Sequence, residues 1–92
     1  MNELTQVLNK IVDERARQDA KWGVQNHTDA YWMTILVEEL GEAAAEITTT
    51  PGFSERRLKH KLVQVAAVAV AWIEAFDRRT TAGGDQRTEG GE

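Results

Sequence analysis

The sequence contains no cysteine, a single proline (Pro51) and no apolar run long enough to cross a bilayer. The lack of cysteine excludes disulfides and thiolate metal sites. The most apolar stretch, residues 62–73, is interrupted by Gln64 and is too short to span a membrane. The amino-terminal residues lack the basic and then apolar order of a secretory signal. Together these absences predict a soluble cytoplasmic protein with no membrane partner.

Basic residues are also fewer than acidic ones. The chain has 11 Lys and Arg against 15 Asp and Glu, a formal net charge of −4. This acidic balance disfavours non-specific contact with nucleic acid, so we predict no nucleic-acid partner. The 92 residues form one small domain, and a monomer of this size buries only about 60 to 65% of the surface of its unfolded chain. Self-association would therefore stabilise it.

Apolar periodicity predicts an all-α domain of three helices over residues 1–79. We expect one helix from about Glu3 to about Ala20, a second carrying Trp32 to about Ile47, and a third from Glu55 to about Arg79. Thr28 or Asp29 is placed to cap the second helix, and Ser54 the third. Residues 80–92 lack apolar anchors, which predicts a disordered tail.

The third helix carries more apolar surface than one protomer can bury. Six residues at steps of four and three form the seam of a helix bundle: Leu58, Leu62, Val65, Ala69, Trp72 and Phe76. Between Leu62 and Ile73, further apolar residues cover nearly every other direction, and a helix that is apolar all round is buried all round. We therefore predict a homodimer, or a homotetramer built from one, with a four-helix-bundle core.

Four acidic residues lie close together on the second helix, namely Glu38, Glu39, Glu42 and Glu46, with no basic residue near them in the sequence. Other acids have a basic residue four positions away, in the pairs Asp13/Arg17, Arg15/Asp19, Glu55/Lys59 and Glu74/Arg78. The cluster borders the apolar stripe of its helix, where carboxylates repel one another. A hard cation bound through carboxylate oxygens would neutralise it. The alternative is a solvated helix face, which runs of Glu usually form.

A second candidate segment, residues 15–27, combines cations, an aromatic ring and amides. Arg17 and Lys21 are suited to phosphate, Trp22 to stacking, and Gln25 to the edge of a base. The alternative is an amphipathic helix end followed by a core tryptophan. His27 belongs to the same segment, but lone histidines are more often structural or exposed than catalytic.

The order of these motifs resembles the MazG-like branch of the all-α nucleoside triphosphate pyrophosphohydrolases. The resemblance covers roughly residues 11–79 and is carried by residues 14–27, Trp32, residues 35–42 and residues 62–74. It implies a helix-bundle homo-oligomer that uses Mg²⁺, or Mn²⁺, to cleave a nucleotide between its α- and β-phosphates. The family's metal motif is Glu-Glu-x-x-Glu on one helix and Glu-x-x-Asp on the next.

Glu38, Glu39 and Glu42 match the first half of that motif, whereas Lys61 and Gln64 stand in place of the Glu and Asp of the second half. An amide oxygen such as that of Gln64 can still ligate a hard cation. Lys61 is the larger departure, because its position on the helix directs it inward, where an ammonium could replace a metal ion.

Two functional expectations follow. In the first, Glu38, Glu39 and Glu42 hold Mg²⁺ and activate water, with Glu46 as an alternative base. Arg17, Lys21 or Lys61 would screen the phosphates, and Trp22, Gln25 and His27 would contact the base and sugar. In the second, Lys61 saturates the acidic cluster, and the pocket binds or sequesters a nucleotide without cleaving it. A purely structural oligomer is a third and weaker alternative.

Overall fold

The computed structural model describes residues 2–49 and 51–83, and the regular structure within those ranges is entirely helical. The helices are α1 (Glu3–Trp22), α2 (Asp29–Thr48) and α3 (Glu55–Gly83). The prediction of an all-α chain with three helices is therefore confirmed. None of these helices has an apolar stretch long enough to span a membrane.

Side-chain caps fix where each helix begins. The backbone N–H of Thr5 donates to Asn2 Oδ1 at 2.8 Å, and that of Tyr31 donates to Thr28 Oγ1 at 3.2 Å. Ser54 Oγ accepts from Arg57 N at 3.2 Å, which confirms the predicted cap of α3. Each cap satisfies an amide that has no partner inside its own helix. Of the two candidates for α2, Thr28 is the cap.

Two of the helices are longer than the sequence predicts. The first continues past Ala20 and ends where Gly23 adopts φ 75°, a left-handed conformation that glycine adopts without steric cost. The third continues past Arg79 to Gly83, because no proline or glycine interrupts the chain before that point. Residues 80–83 are thus helical rather than part of a tail, and residues 84–92 lie outside the described residues.

The third helix is the centre of the fold. Both α1 and α2 pack against it, on separate faces, and they do not pack directly against each other in the described part of the chain. The core is formed by Trp32, Val68, Ala71 and Ala75, with Ile35, Leu36 and Trp72 packed around it. Small alanine side chains on α3 allow the close approach of Trp32. The predicted seam of α3 is only half-buried within one chain, and Leu62 is 49% exposed.

Many large apolar side chains remain in contact with solvent. On α1, Leu4 is 65% exposed and Val12 is 63% exposed, and on α2 Val37 is 56% exposed. Ile47 and Ile73 are similarly exposed, at 58% and 59%. A soluble monomer rarely presents contiguous apolar surface on this scale.

Candidate ligand-binding cleft

A cleft of about 260 Å³ opens between the three helices and the loop of residues 23–28. Six of the predicted site residues line it: Arg17, Trp22, Gln25, His27, Glu39 and Gln64. The volume is slightly below the usual range for drug-sized ligands and suits a heterocycle with part of a sugar. The structure thus brings the aromatic loop segment and one member of the acidic cluster to the same place.

The loop of residues 23–28 is held against α3 by Arg78. Its Nη2 atom donates to the Gln25 carbonyl at 2.9 Å and to Asn26 Oδ1 at 3.0 Å. At the other end of the loop, the His27 ring packs edge-on against Tyr31 and Trp32, with centroid distances of 4.6 and 4.8 Å. These contacts fix the polar and aromatic side chains of the loop at the mouth of the cleft.

Three residues that line the cleft each carry a buried polar side-chain atom with no hydrogen-bond partner within the described chain. The atoms are Trp32 Nε1, Glu39 Oε1 and Gln64 Oε1. Trp32 is only 3% exposed, so its N–H is turned into the protein and not into bulk water. Leaving a buried donor or acceptor unpaired costs about 1 to 3 kcal/mol. Three such residues around one cleft make it the candidate binding site of this chain.

Glu39 differs chemically from its neighbours on α2. Burial raises the pKa of its carboxyl group, and the nearby charge of Glu42 raises it further, against a smaller opposing effect of Lys61. A carboxyl group with a raised pKa in a cleft is a common mark of a functional site.

The acidic cluster is not free of basic partners, which corrects the expectation from the sequence. Lys61 Nζ lies 3.1 Å from Glu42 Oε1, and Arg57 Nε lies 3.0 Å from Glu46 Oε1. Both cations come from α3, 19 and 11 residues along the chain from the acids they contact. Counting charges only along one helix could not reveal them. Lys61, which the sequence predicts to point inward, is partly buried, with 28% of its side chain exposed.

Most of the ion pairs predicted at a spacing of four residues within α1 and α3 are replaced by pairs with other residues. Among the described residues only Arg15 and Asp19 pair as predicted, at 3.1 Å. Arg17 binds Glu14 instead of Asp13, and Glu74 binds Arg15 instead of Arg78. Arg17 and Glu14 lie three residues apart on the same helix, whereas Arg15 and Glu74 are brought together by the packing of α1 on α3.

A magnesium site built from Glu38, Glu39 and Glu42 fits this arrangement poorly. Glu42 is already paired with the ammonium group of Lys61, Glu38 is exposed, and Glu39 is turned into the cleft. Within residues 2–49 and 51–83, no three His, Asp or Glu side chains are grouped to hold one ion. Magnesium binding by these three residues stays a prediction.

Glu14 lines the cleft and was given no role from the sequence. It is 6% exposed and accepts from Arg17 at 2.6 and 3.0 Å. The hydrogen bond from Arg17 lowers the pKa of Glu14, against the effect of burial. The signal for its burial was its spacing, because Glu14 follows the half-buried Ile11 by three residues and so lies on nearly the same face of α1. Arg15, Tyr31 and Arg78 also line the cleft and were likewise not predicted.

Four predicted site residues lie outside the cleft: Lys21, Glu38, Glu42 and Lys61. Lys21 Nζ instead lies 4.6 Å from the centroid of the Trp22 ring. Lys61 lines a second, more open cleft of about 1290 Å³ between α1 and the start of α3. Glu14 and Arg17 line both clefts, so their ion pair marks the boundary between them.

The chain matches no protein-family model, no curated protein and no solved structure.

Proposed function

We propose that the protein binds a nucleotide, with the base in the cleft between α2, α3 and the loop of residues 23–28. The observation that carries this proposal is the set of three unpaired polar atoms on Trp32, Glu39 and Gln64. Aromatic rings beside them, including His27 and Trp22, supply flat apolar surface. A heterocyclic base offers both a flat face and a polar edge, and so matches both properties.

Arg17 is the proposed contact for the phosphates. Its side chain is 51% exposed and it lines both clefts, so a phosphate chain leaving the smaller cleft would pass its guanidinium group. Arginine is well suited to phosphate because its planar donors can bind two oxygens at once. Lys59 and His60 line the second cleft and would extend the basic surface along that path.

The ion pair between Lys61 and Glu42 favours binding without cleavage. An ammonium group within hydrogen-bond distance of the acidic helix supplies positive charge where the resemblance implies a metal ion. In this form of the proposal, the nucleotide is held or sequestered, and Glu39 contacts the ligand directly.

The second candidate is a Mg²⁺-dependent nucleoside triphosphate pyrophosphohydrolase, which converts a triphosphate and water into a monophosphate and pyrophosphate. Glu39 favours it, because this carboxyl group lies in the cleft and one of its oxygens has no partner. A metal ion would polarise the phosphates and acidify the attacking water. Glu39 is the residue of this chain best placed to orient that water or accept its proton.

We also propose that the functional form is a homo-oligomer. The exposed apolar stripe of α1, formed by Leu4, Leu8 and Val12, and the exposed Ile73 of α3 support a second copy as the covering surface. Mutual burial of these stripes would produce the four-helix core expected from the sequence.

Two measurements on the purified full chain separate these proposals. Binding of nucleoside monophosphates in the presence of a chelator tests recognition alone. Pyrophosphate release from a panel of triphosphates with Mg²⁺ tests cleavage. Binding without release supports sequestration, and release supports the enzyme. Absence of binding at millimolar nucleotide, with or without Mg²⁺, would refute both.

A further inference from the structure

The three unpaired atoms of the cleft differ in hydrogen-bonding character. Trp32 Nε1 can only donate, whereas Glu39 Oε1 and Gln64 Oε1 are oxygens that accept. The cleft therefore offers one donor and two acceptors to whatever occupies it. A ligand that satisfies all three must bring two N–H or O–H groups and one acceptor.

We propose that the cleft selects bases that carry an exocyclic amino group over their oxo counterparts, an inference that rests on the proposed nucleotide binding. An amino group has two N–H bonds, one for Glu39 and one for Gln64. A neighbouring ring nitrogen or carbonyl oxygen then accepts from Trp32. Cytosine, adenine and guanine meet this requirement.

Uracil and thymine present an oxo group where cytosine carries the amino group, and hypoxanthine presents one where adenine carries it. An oxo oxygen set against two acceptor oxygens leaves all of them unpaired, in a cleft where Trp32 is 3% exposed. Sites built to hydrogen-bond a substrate N–H reject analogues that lack it more strongly than apolar pockets reject a change of size. The Trp32 donor adds to the discrimination, because the ring nitrogen beside the amino group accepts in cytosine and adenine, whereas the ring nitrogen beside the oxo group carries a hydrogen in uracil and hypoxanthine.

The test compares nucleotides that differ in this group and in the hydrogen on the ring nitrogen beside it. Dissociation constants are measured by calorimetry for CMP against UMP and for AMP against IMP. Monophosphates are chosen because they have no bond that a pyrophosphohydrolase would cleave. We expect the amino member of at least one pair to bind about tenfold more tightly or better, as loss of a buried hydrogen-bond partner predicts.

Variants assign the preference to named residues. Glu39→Leu and Gln64→Leu should each reduce the amino preference by at least about threefold, because each removes an acceptor. Trp32→Phe should weaken the amino nucleotides more than the oxo ones, because it removes the donor to the ring nitrogen and keeps a ring. Asp77→Leu is the matched control for Glu39→Leu, since it removes an exposed carboxylate that lines neither cleft, and it should leave the preference unchanged. Melting curves confirm that each variant is folded.

The outcomes separate this inference from the proposed function. Equal affinity within both pairs would overturn the amino preference while leaving nucleotide binding in place. A preference that persists in both Glu39→Leu and Gln64→Leu would also overturn it. Failure of every nucleotide to bind would overturn the proposed function itself.

Discussion

Lys61 Nζ lies 3.1 Å from Glu42 Oε1, and this ion pair joins the central helix to the acidic helix. The side chain of Lys61 is 28% exposed and that of Glu42 is 52% exposed, so the pair is partly open to solvent. Such a pair contributes little to stability, at most about 1 kcal/mol. Its main effect is therefore electrostatic, because the ammonium group offsets part of the negative charge of α2.

Lys61→Glu should create dependence on Mg²⁺. The substitution removes the ammonium group from Glu42 and adds a carboxylate, so a divalent cation would stabilise the folded state by mass action. We expect the melting temperature of this variant to rise on addition of millimolar Mg²⁺, and that of the unmodified protein to change much less. Thermal melts with Mg²⁺ and with chelator measure the difference.

Lys59→Glu is the matched control, because it makes the same charge change two positions away at an exposed residue. Its Mg²⁺ response should resemble that of the unmodified protein. Equal responses of Lys61→Glu and Lys59→Glu would show that the effect of Mg²⁺ depends on net charge and not on a carboxylate placed next to Glu42. Pyrophosphate release by Lys61→Glu alone would identify the unmodified protein as a binder with an inactivated metal site.

Arg78→Ala should weaken nucleotide binding more than it lowers stability. Arg78 donates to the Gln25 carbonyl and to Asn26, so its removal frees the loop that carries Gln25 and His27. Loss of a charged hydrogen bond corresponds to about 1.5 kcal/mol, or roughly tenfold in the dissociation constant. Calorimetric titration measures it. Arg79→Ala removes a neighbouring arginine that contacts Phe76 and Asp29, and it should leave affinity within about twofold.

Glu39→Gln should stabilise the protein near neutral pH and have much less effect in acid. The pKa of Glu39 is raised on folding, so the folded state binds more protons than the unfolded state over the interval between the two pKa values. Stability is therefore lost as the pH rises from the ordinary pKa of 4.5 through the raised one. The amide avoids this loss because it does not ionise.

Urea denaturation at pH 4 and pH 7 provides the comparison. The gain from Glu39→Gln should be larger at pH 7. Glu38→Gln, at an exposed position, should show a smaller difference between the two pH values. The same gain at both pH values would indicate that the amide improves packing and that ionisation of Glu39 costs nothing.

Leu8→Glu should dissociate the proposed oligomer. Leu8 is 49% exposed in one chain and lies on the apolar stripe of α1, so a charge there would be buried in any interface built on that stripe. Analytical ultracentrifugation should show at least twice the mass of one chain for the unmodified protein, and a lower mass for Leu8→Glu. Ala20→Glu adds the same charge at an exposed position of the same helix and should leave the assembly intact. A monomeric unmodified protein would contradict the proposal.

The helices could be predicted from local signals, and the site only in part. The side chains of Thr28 and Ser54 accept from amides only three residues along the chain. Residue type and position alone could therefore predict these caps. The partners of Glu42 and Glu46 could not be read in the same way, because Lys61 and Arg57 reach them from another helix. Glu14 was missed for a related reason, since its burial depends on how α1 is turned towards α3.

The separation of α1 from α2 has a consequence for motion. Because α1 is attached to the rest of the fold through α3 and the loop of residues 23–28, it can detach without disturbing the packing of Trp32 on α3. Its amide hydrogens should therefore exchange with solvent before those of α2. A ligand in the cleft would contact α1, α2 and the loop at once. It would therefore link the two outer helices, which do not pack against each other.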